Sequence, residues 1–151
     1  MKKRLFISMI FAFLASLLTI KAQMEKPITW SISARMTSET EGVVTIRTNI
    51  AEGWHVYGLQ MPENGPMATT FDFNVNDVTF TSDIVPSSEP IVKGEENYWD
   101  KPVKFTRNFI VTGESPKIEA TVTFMGCNDE TCLPPDTSIL KVKNIRKYTQ
   151  K

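Results

Sequence analysis

The clearest strand pattern of the chain and both of its cysteines lie in residues 117–135, which read KIEATVTFMGCNDETCLPP. The first eight of these residues alternate between apolar and polar side chains, a pattern that predicts a half-buried β-strand. The side chains expected to face inward are Ile118, Ala120, Val122 and Phe124. The strand leads into the only two cysteines of the chain, Cys127 and Cys132, with a glycine before them and two prolines after them. We therefore expect a small ring presented at the end of a strand, outside the core.

The same two-residue period recurs along most of the chain from Pro27 onward. It is clearest in residues 28–36, 44–50, 70–75 and 117–124. Residues 58–68 and 86–90 lack it and contain proline, so they are predicted to be surface connections, and the basic tail from Lys143 is expected to fray. Seven to nine short strands, with turn signals at intervals of roughly 8–12 residues, predict an all-β fold: an immunoglobulin-like antiparallel β-sandwich.

The first 22 residues have the pattern of a cleaved export signal. Three basic residues precede an apolar block of 16 residues, Leu5 to Ile20, and a small residue, Ala22, follows. The block is shorter than the roughly 20 residues that span a bilayer. The predicted organisation is a signal peptide over residues 1–22 and one domain over 23–151. That domain carries 13 basic and 17 acidic residues, so it lacks the basic footprint of nucleic-acid binding.

The cysteine pair is open to two interpretations from the residues alone. In the chain-entropy model, a disulfide that closes about 6 residues stabilises a fold by about 2 kcal/mol, against about 4.7 kcal/mol for a 100-residue loop. A structural disulfide would be more effective elsewhere, and strained or exposed disulfides are the ones that exchange. However, any two cysteines within reach also oxidise in an exported protein. A redox site and a hairpin staple both fit.

The residues inside the ring disfavour a thiolate. Asp129 and Glu130 lie between the two cysteines, and no Lys, Arg or His does. We expect thiols with a pKa at or above the ordinary value, which depend on a partner for activation. The two sulfurs with His55 and Met125 would suit the preference of Cu(I) for soft ligands, but we expect neither a metal nor a cofactor.

Three segments together resemble a known family. They are the GCNDETCLPP run at 126–135, the GWHVY run at 53–57 and the GPMATTFDF run at 65–73. They are similar to the periplasmic N-terminal domain of the thiol:disulfide interchange protein DsbD, especially its stand-alone form, the disulfide bond corrector type. The resemblance extends from about Ile28 to Val142.

The resemblance implies a periplasmic thiol:disulfide oxidoreductase that relays reducing equivalents and has an immunoglobulin-like fold. Its donor would be a thioredoxin-like domain or a transmembrane DsbD-type reductase. Its acceptors would be periplasmic disulfide isomerases or cytochrome c maturation proteins. The alternative is a non-catalytic immunoglobulin-like binding module whose disulfide only shapes a recognition loop.

The resemblance also implies roles for individual residues. Cys132 would form the mixed disulfide with partners, and Cys127 would resolve it. A cap segment, Glu89–Gly94, would cover the pair, with Val92 at the place where an aromatic residue usually shields the sulfurs and Glu89 as the nearby acid.

Two aromatic positions of the second segment complete the expected site. Tyr57 matches a tyrosine of the family, while His55 stands where the family often has another tyrosine. Both are expected to support the cysteine pair.

Overall fold

The computed structural model describes residues 26–148, which form 13 strands and no helix. In chain order the strands are β1 (Ile28–Met36), β2 (Glu41–Ile50), β3 (His55–Tyr57), β4 (Thr70–Asn76), β5 (Val78–Phe80), β6 (Val85–Pro86), β7 (Ile91–Lys93), β8 (Glu96–Trp99), β9 (Lys104–Val111), β10 (Lys117–Phe124), β11 (Gly126–Cys127), β12 (Asp136–Lys141) and β13 (Ile145–Arg146). Over these residues, no helix could cross a membrane. The predicted export signal lies outside the described residues.

Two sheets pack face to face around the core. The larger has the order β13-β1-β2-β9-β5, with β6 also paired to β9, and the smaller has the order β12-β10-β4. Most pairs are antiparallel, and β1 and β2 stay in register over nine residues, from Ile28 opposite Ile50 to Met36 opposite Gly42. The prediction of an all-β, immunoglobulin-like sandwich is confirmed.

The inward set of β10 is buried as its alternation predicts. Ile118, Ala120, Val122 and Phe124 all lie in the core. Aromatic rings fill the space between the two sheets. The ring centroids of Phe105 of β9 and Phe71 of β4 are 4.8 Å apart, and those of Trp30 of β1 and Phe124 are 5.3 Å apart. This aromatic core fixes the end of β10 from which the cysteine segment continues.

A third sheet, with the order β11-β3-β8-β7, carries the cysteine segment. We call it the site sheet. It is attached to the core by Val56 of β3 and Trp99 of β8, which are both buried. Only Met125 separates β10 from β11, so the first cysteine follows directly from the strongest strand of the sandwich.

Three short strands, β7, β8 and β13, were not predicted from the sequence. β7 and β8 form a hairpin whose turn contains Gly94 at φ 64°, in the left-handed region that favours glycine. At the end of the chain, β13 pairs in parallel with β1 through Ala34 and Ile145, so the prediction that the tail frays from Lys143 is wrong. Strands of two to four residues contain too few alternations to be recognised from a period.

Candidate functional site

The two cysteines form a disulfide across a tight hairpin. The amide of Asn128 donates to the carbonyl of Thr131 at 2.9 Å, and the amide of Leu133 donates to the carbonyl of Gly126 at 2.8 Å. Cys127 and Cys132 face each other between these two bonds, with their Cα atoms 4.0 Å apart. In an antiparallel pair this position, without hydrogen bonds of its own, brings opposite side chains closest together. The hairpin itself therefore aligns the two sulfurs.

The turn of the hairpin is held by the side chain of Asn128. Its Oδ1 accepts hydrogen bonds from the amides of Glu130, at 2.9 Å, and Thr131, at 2.8 Å. Asparagine commonly makes this turn because its short side chain can replace a backbone acceptor. The Asn-Asp pair in the sequence carried this signal, although our sequence analysis considered only the charges of the ring.

The two cysteine residues differ sharply in exposure. Cys132 is exposed, whereas Cys127 is 1% exposed and belongs to the core. The expectation that the ring lies outside the core therefore holds for Cys132 and is wrong for Cys127, because β11 pairs with β3. A molecule arriving from solvent therefore meets Cys132 before Cys127.

Gly126 allows β11 to approach the core this closely. A Cβ atom at this position would lie 2.5 Å from Cδ1 of Ile28. On the other arm of the hairpin, Pro134 and Pro135 are exposed and lead into β12. The hairpin is thus packed tightly on the Cys127 arm and open on the Cys132 arm.

His55 lies directly opposite Cys127 in the register of β3 and β11. Directly opposed residues of an antiparallel pair place their side chains on the same face. The imidazole centroid is 4.8 Å from the ring of Tyr98 and 5.2 Å from the ring of Tyr57. Burial lowers the pKa of His55, and the carboxylates of Asp129, Glu96 and Asp100 oppose part of this effect. The structure therefore brings this predicted site residue to the cysteines.

Tyr57 is buried two residues further along β3, opposite Tyr98. Burial, with a smaller contribution from Glu96, raises the pKa of its phenol. Its carbonyl accepts a 2.6 Å hydrogen bond from the hydroxyl of Thr69, and the Thr69 amide donates to the carbonyl of Gly58 at 2.9 Å. Thr69 belongs to the 65–73 run, and no role for it could be predicted from the sequence pattern. It ties that run to β3.

The cap segment lies at the far edge of the site sheet, where β3 and β8 separate its strand β7 from β11. Val92 pairs with Asn97 and is 71% exposed, whereas Ile91 pairs with Tyr98. Because successive side chains of a strand alternate, Ile91 shares the face of Cys127 and Val92 lies on the other face. Glu89 is exposed before β7. This arrangement brings neither Val92 nor Glu89 to the sulfurs, and their cap roles stay predictions.

A metal site requires several side chains that together coordinate the ion. Over residues 26–148, no group of three or more His, Cys, Asp or Glu side chains is arranged to hold a metal ion.

Solved structures from Proteus mirabilis and Neisseria meningitidis are among those similar to this chain. The N-terminal periplasmic domain of ScsB from Proteus mirabilis matches with a TM-score of 0.54 and 17% identity, over 82% of this chain and 49% of that chain. This chain therefore spans about half the length of that ScsB domain, and the likeness concerns the fold alone.

Two structures from Neisseria meningitidis also match, each at 13% identity. The complex between the DsbD N-terminal and the PilB N-terminal domains has a TM-score of 0.45, over 80% of this chain and 87% of that chain. The reduced DsbD N-terminal domain has a TM-score of 0.42, over 76% and 85%.

Comparison with curated protein sequences gives no significant match. The sequence profile of the family described as "Thiol:disulfide interchange protein DsbD, N-terminal" matches residues 22–144. That match includes every described strand from β1 to β12, together with both cysteines. The chain therefore belongs to the family of the N-terminal domain of the thiol:disulfide interchange protein DsbD.

Proposed function

We propose that this protein relays reducing equivalents by thiol–disulfide exchange at Cys127 and Cys132. The observation that carries the proposal is the difference between the two cysteines of one disulfide: Cys132 is exposed, and Cys127 is buried. A thiolate from solvent is thereby directed to Cys132. Cys127 stays in place and can displace the partner that has become bonded to Cys132. The family match supports the same chemistry.

The exchange has two halves. A thiolate of the donor attacks Sγ of Cys132, the disulfide breaks, and Cys127 leaves with the electron pair and gains a proton. A second donor thiol then displaces Cys132, so that the donor is oxidised and the protein carries two thiols. In the second half, the Cys132 thiolate attacks the disulfide of the acceptor, and Cys127 then displaces the acceptor, which leaves reduced.

The proposed setting is the periplasm, reached by cleavage of the signal peptide at residues 1–22. The donor is a thioredoxin-like domain or a transmembrane DsbD-type reductase, and the acceptors are periplasmic disulfide isomerases or cytochrome c maturation proteins. The similar ScsB domain is itself described as periplasmic. The Glu89–Gly94 segment would act as the cap. It contains β7, whose three residues are all exposed.

The equilibrium reduction potential of the cysteine pair tests the proposal. The protein is equilibrated against a glutathione or dithiothreitol series, and its thiols are alkylated and counted by mass spectrometry. A potential of roughly −180 to −270 mV, the range of known exchange proteins, supports the relay. A potential well below about −300 mV marks a structural disulfide and contradicts it.

A second candidate function is favoured by one observation, the full hydrogen bonding of the hairpin around Asn128. A hairpin that is ordered without its disulfide could serve as a recognition loop of a non-catalytic binding module. Two variants separate the functions. For the relay, the Cys132 thiolate of Cys127→Ser attacks the disulfide of an oxidised thioredoxin-like protein and a mixed disulfide accumulates, whereas Cys132→Ser forms none. For the binding module, both variants bind their partner as the parent protein does.

A further inference from the structure

The only histidine of the chain lies beside the buried sulfur. His55 and Cys127 are direct partners across β3 and β11, and the Cβ atoms of such a pair are about 4.5–5.5 Å apart. An imidazole on a neighbouring strand at that distance can reach the Cys127 sulfur. The exposed sulfur of Cys132 is on the other arm of the hairpin and can exchange protons with water.

Charged groups from every neighbouring element face this imidazole. The Asp129 carboxylate comes from the hairpin, Glu96 from β8, Asp100 from the residue after β8 and the Lys93 ammonium from β7. The aromatic rings of Tyr57 and Tyr98 cover it from the sides. Burial lowers the pKa of His55, so the imidazole is neutral at neutral pH. The three carboxylates stabilise the imidazolium once a proton is gained.

Cys127 needs such a base more than most cysteines do. A buried thiol resists ionisation, and the two acids of the hairpin add to that resistance. Tyr57 cannot supply the base, because its phenol keeps its proton at neutral pH and its pKa is raised further by burial. Carboxylates also lie nearby, but an imidazole is a stronger base than a carboxylate, so His55 is the better proton acceptor for Cys127 at neutral pH.

We propose that His55 is the general base that deprotonates Cys127 when Cys127 resolves a mixed disulfide, an inference that rests on the proposed function. The Cys127 thiol gives its proton to the imidazole, and its sulfur attacks Sγ of Cys132. The bond between Cys132 and the partner sulfur breaks, and the Cys127–Cys132 bond forms. Cys127 is oxidised, and the partner sulfur leaves reduced, with the electron pair. The imidazolium then returns its proton to that thiolate or to water.

The test measures the step in which Cys127 displaces the group attached to Cys132. A small disulfide compound takes the place of the partner protein. The protein, without an affinity tag, is reduced with dithiothreitol, desalted and mixed with dithiobis-nitrobenzoate. Attack by Cys132 releases a first thionitrobenzoate in a bimolecular step, and attack by Cys127 releases a second in a unimolecular step. The two steps are recorded by stopped-flow absorbance between mildly acidic and mildly alkaline pH.

Three variants are compared with the parent protein. His55→Gln and His55→Tyr remove the base, and His55→Tyr keeps an aromatic ring at the position. Tyr98→Phe is the control, since it keeps the ring contact with His55. We expect both His55 variants to slow the second release about tenfold or more at neutral pH, with less effect as pH rises. The first release changes less than about twofold, and Tyr98→Phe leaves both steps unchanged.

Equal rates of the second release in the parent protein and the His55 variants would overturn the proposal. A measurement without substitution gives a second test. In an NMR titration of the reduced parent protein, the chemical shift of the His55 imidazole should show an additional inflection at the pH where Cys127 ionises. The disulfide form should show no such inflection. The absence of the inflection from the reduced form would also overturn the proposal. Failure of the relay function is recognised separately, by a reduction potential of the cysteine pair in the range of structural disulfides, whatever the rates of the two releases are.

Discussion

Gly126 shows how much the site depends on the absence of one side chain. A Cβ atom there would lie 2.5 Å from Cδ1 of Ile28, in a region where both residues are buried. We expect Gly126→Ala to lower the free energy of unfolding by about 1–3 kcal/mol, because the added methyl group overpacks the core. Denaturant unfolding measures the change.

Ile28→Val provides the matched variant, because it removes the atom that the new methyl group would strike. Alone it should cost about 0.5–1.5 kcal/mol. The double variant Gly126→Ala with Ile28→Val should lose less stability than the sum of the two single losses. A strictly additive result would show that contact with Ile28 is not the source of the cost.

Thr69 is the residue whose hydroxyl connects the 65–73 run to the site sheet. It is 2% exposed, and its hydrogen bond to the Tyr57 carbonyl is 2.6 Å long. Thr69→Val keeps the shape and leaves that buried carbonyl without this donor, so we expect a loss of about 1–3 kcal/mol in urea unfolding. Thr106→Val is the control, since its 3.4 Å bond to Val85 is exposed. Equal losses in the two variants would contradict the role given to Thr69.

At the scale of elements, the site sheet should be stable on one side and labile on the other. β7 pairs only with β8, and its side chains are exposed, whereas β3 pairs on both sides and its Val56 is 0% exposed. The cap segment is held just before its start by the Trp99 indole, which donates to the Ser88 carbonyl at 3.0 Å. β7 can therefore separate after Ser88 without exposing the core.

Native-state hydrogen exchange tests this difference. We expect the hydrogen-bonded amides of β7 to exchange through local opening, with little dependence on low concentrations of denaturant. The amides of β3 should exchange only through global unfolding, with the full denaturant dependence. If both strands had the same opening free energy, β7 would be an integral part of the fold, which would contradict the expected local opening.

The long elements could be predicted from the sequence, and the short ones could not. The alternation of β10 gave the correct buried set, because eight residues contain four full periods. β7, β8 and β11 contain two to four residues each, and their positions depend on strands that are far away in the chain. The cap was placed by resemblance alone, and resemblance carries no register. For that reason Val92 was expected over the sulfurs and lies on the opposite face.

Across the whole molecule, one ion pair links the two sheets of the sandwich. Lys26, just before β1 of the larger sheet, donates to the Asp136 carboxylate at the start of β12 in the smaller sheet, at 2.8 Å. This hydrogen bond, and a second from the Thr137 amide, hold the pKa of Asp136 below its ordinary value. Because the folded pKa is the lower one, the added stability is present above the ordinary pKa and is lost as pH falls through the folded value.

Asp136→Asn should therefore destabilise the protein near neutral pH and not at strongly acidic pH. We expect a loss of at most about 1 kcal/mol at low salt, because both side chains are partly exposed, and a smaller loss at high salt. Asp83→Asn, at a carboxylate with no ion pair within residues 26–148, is the control. The loss is measured by urea unfolding at both pH values, and a loss that is independent of pH would contradict the ion-pair explanation.

The arrangement of the site is likewise a property of the whole molecule. His55 and Cys127 were both identified from the sequence, but their pairing joins segments that are 72 residues apart. No local period encodes that register. It depends on the close approach at Gly126 and on the bond from Thr69 that fixes β3. The sequence could thus name the participants, whereas the neighbour of the buried sulfur emerged only from the packed sheets.

Pro134 and Pro135 have a consequence for how this surface behaves in a crowded compartment. They follow the exposed sulfur on the open arm of the hairpin, and neither has an amide hydrogen. A strand from another chain cannot extend a ladder along that arm, because edge pairing requires such donors. The edge is thereby protected against sheet-to-sheet aggregation. The exposed Cys132 next to this edge can still form a bond to a sulfur of another protein, and such a bond can be exchanged again.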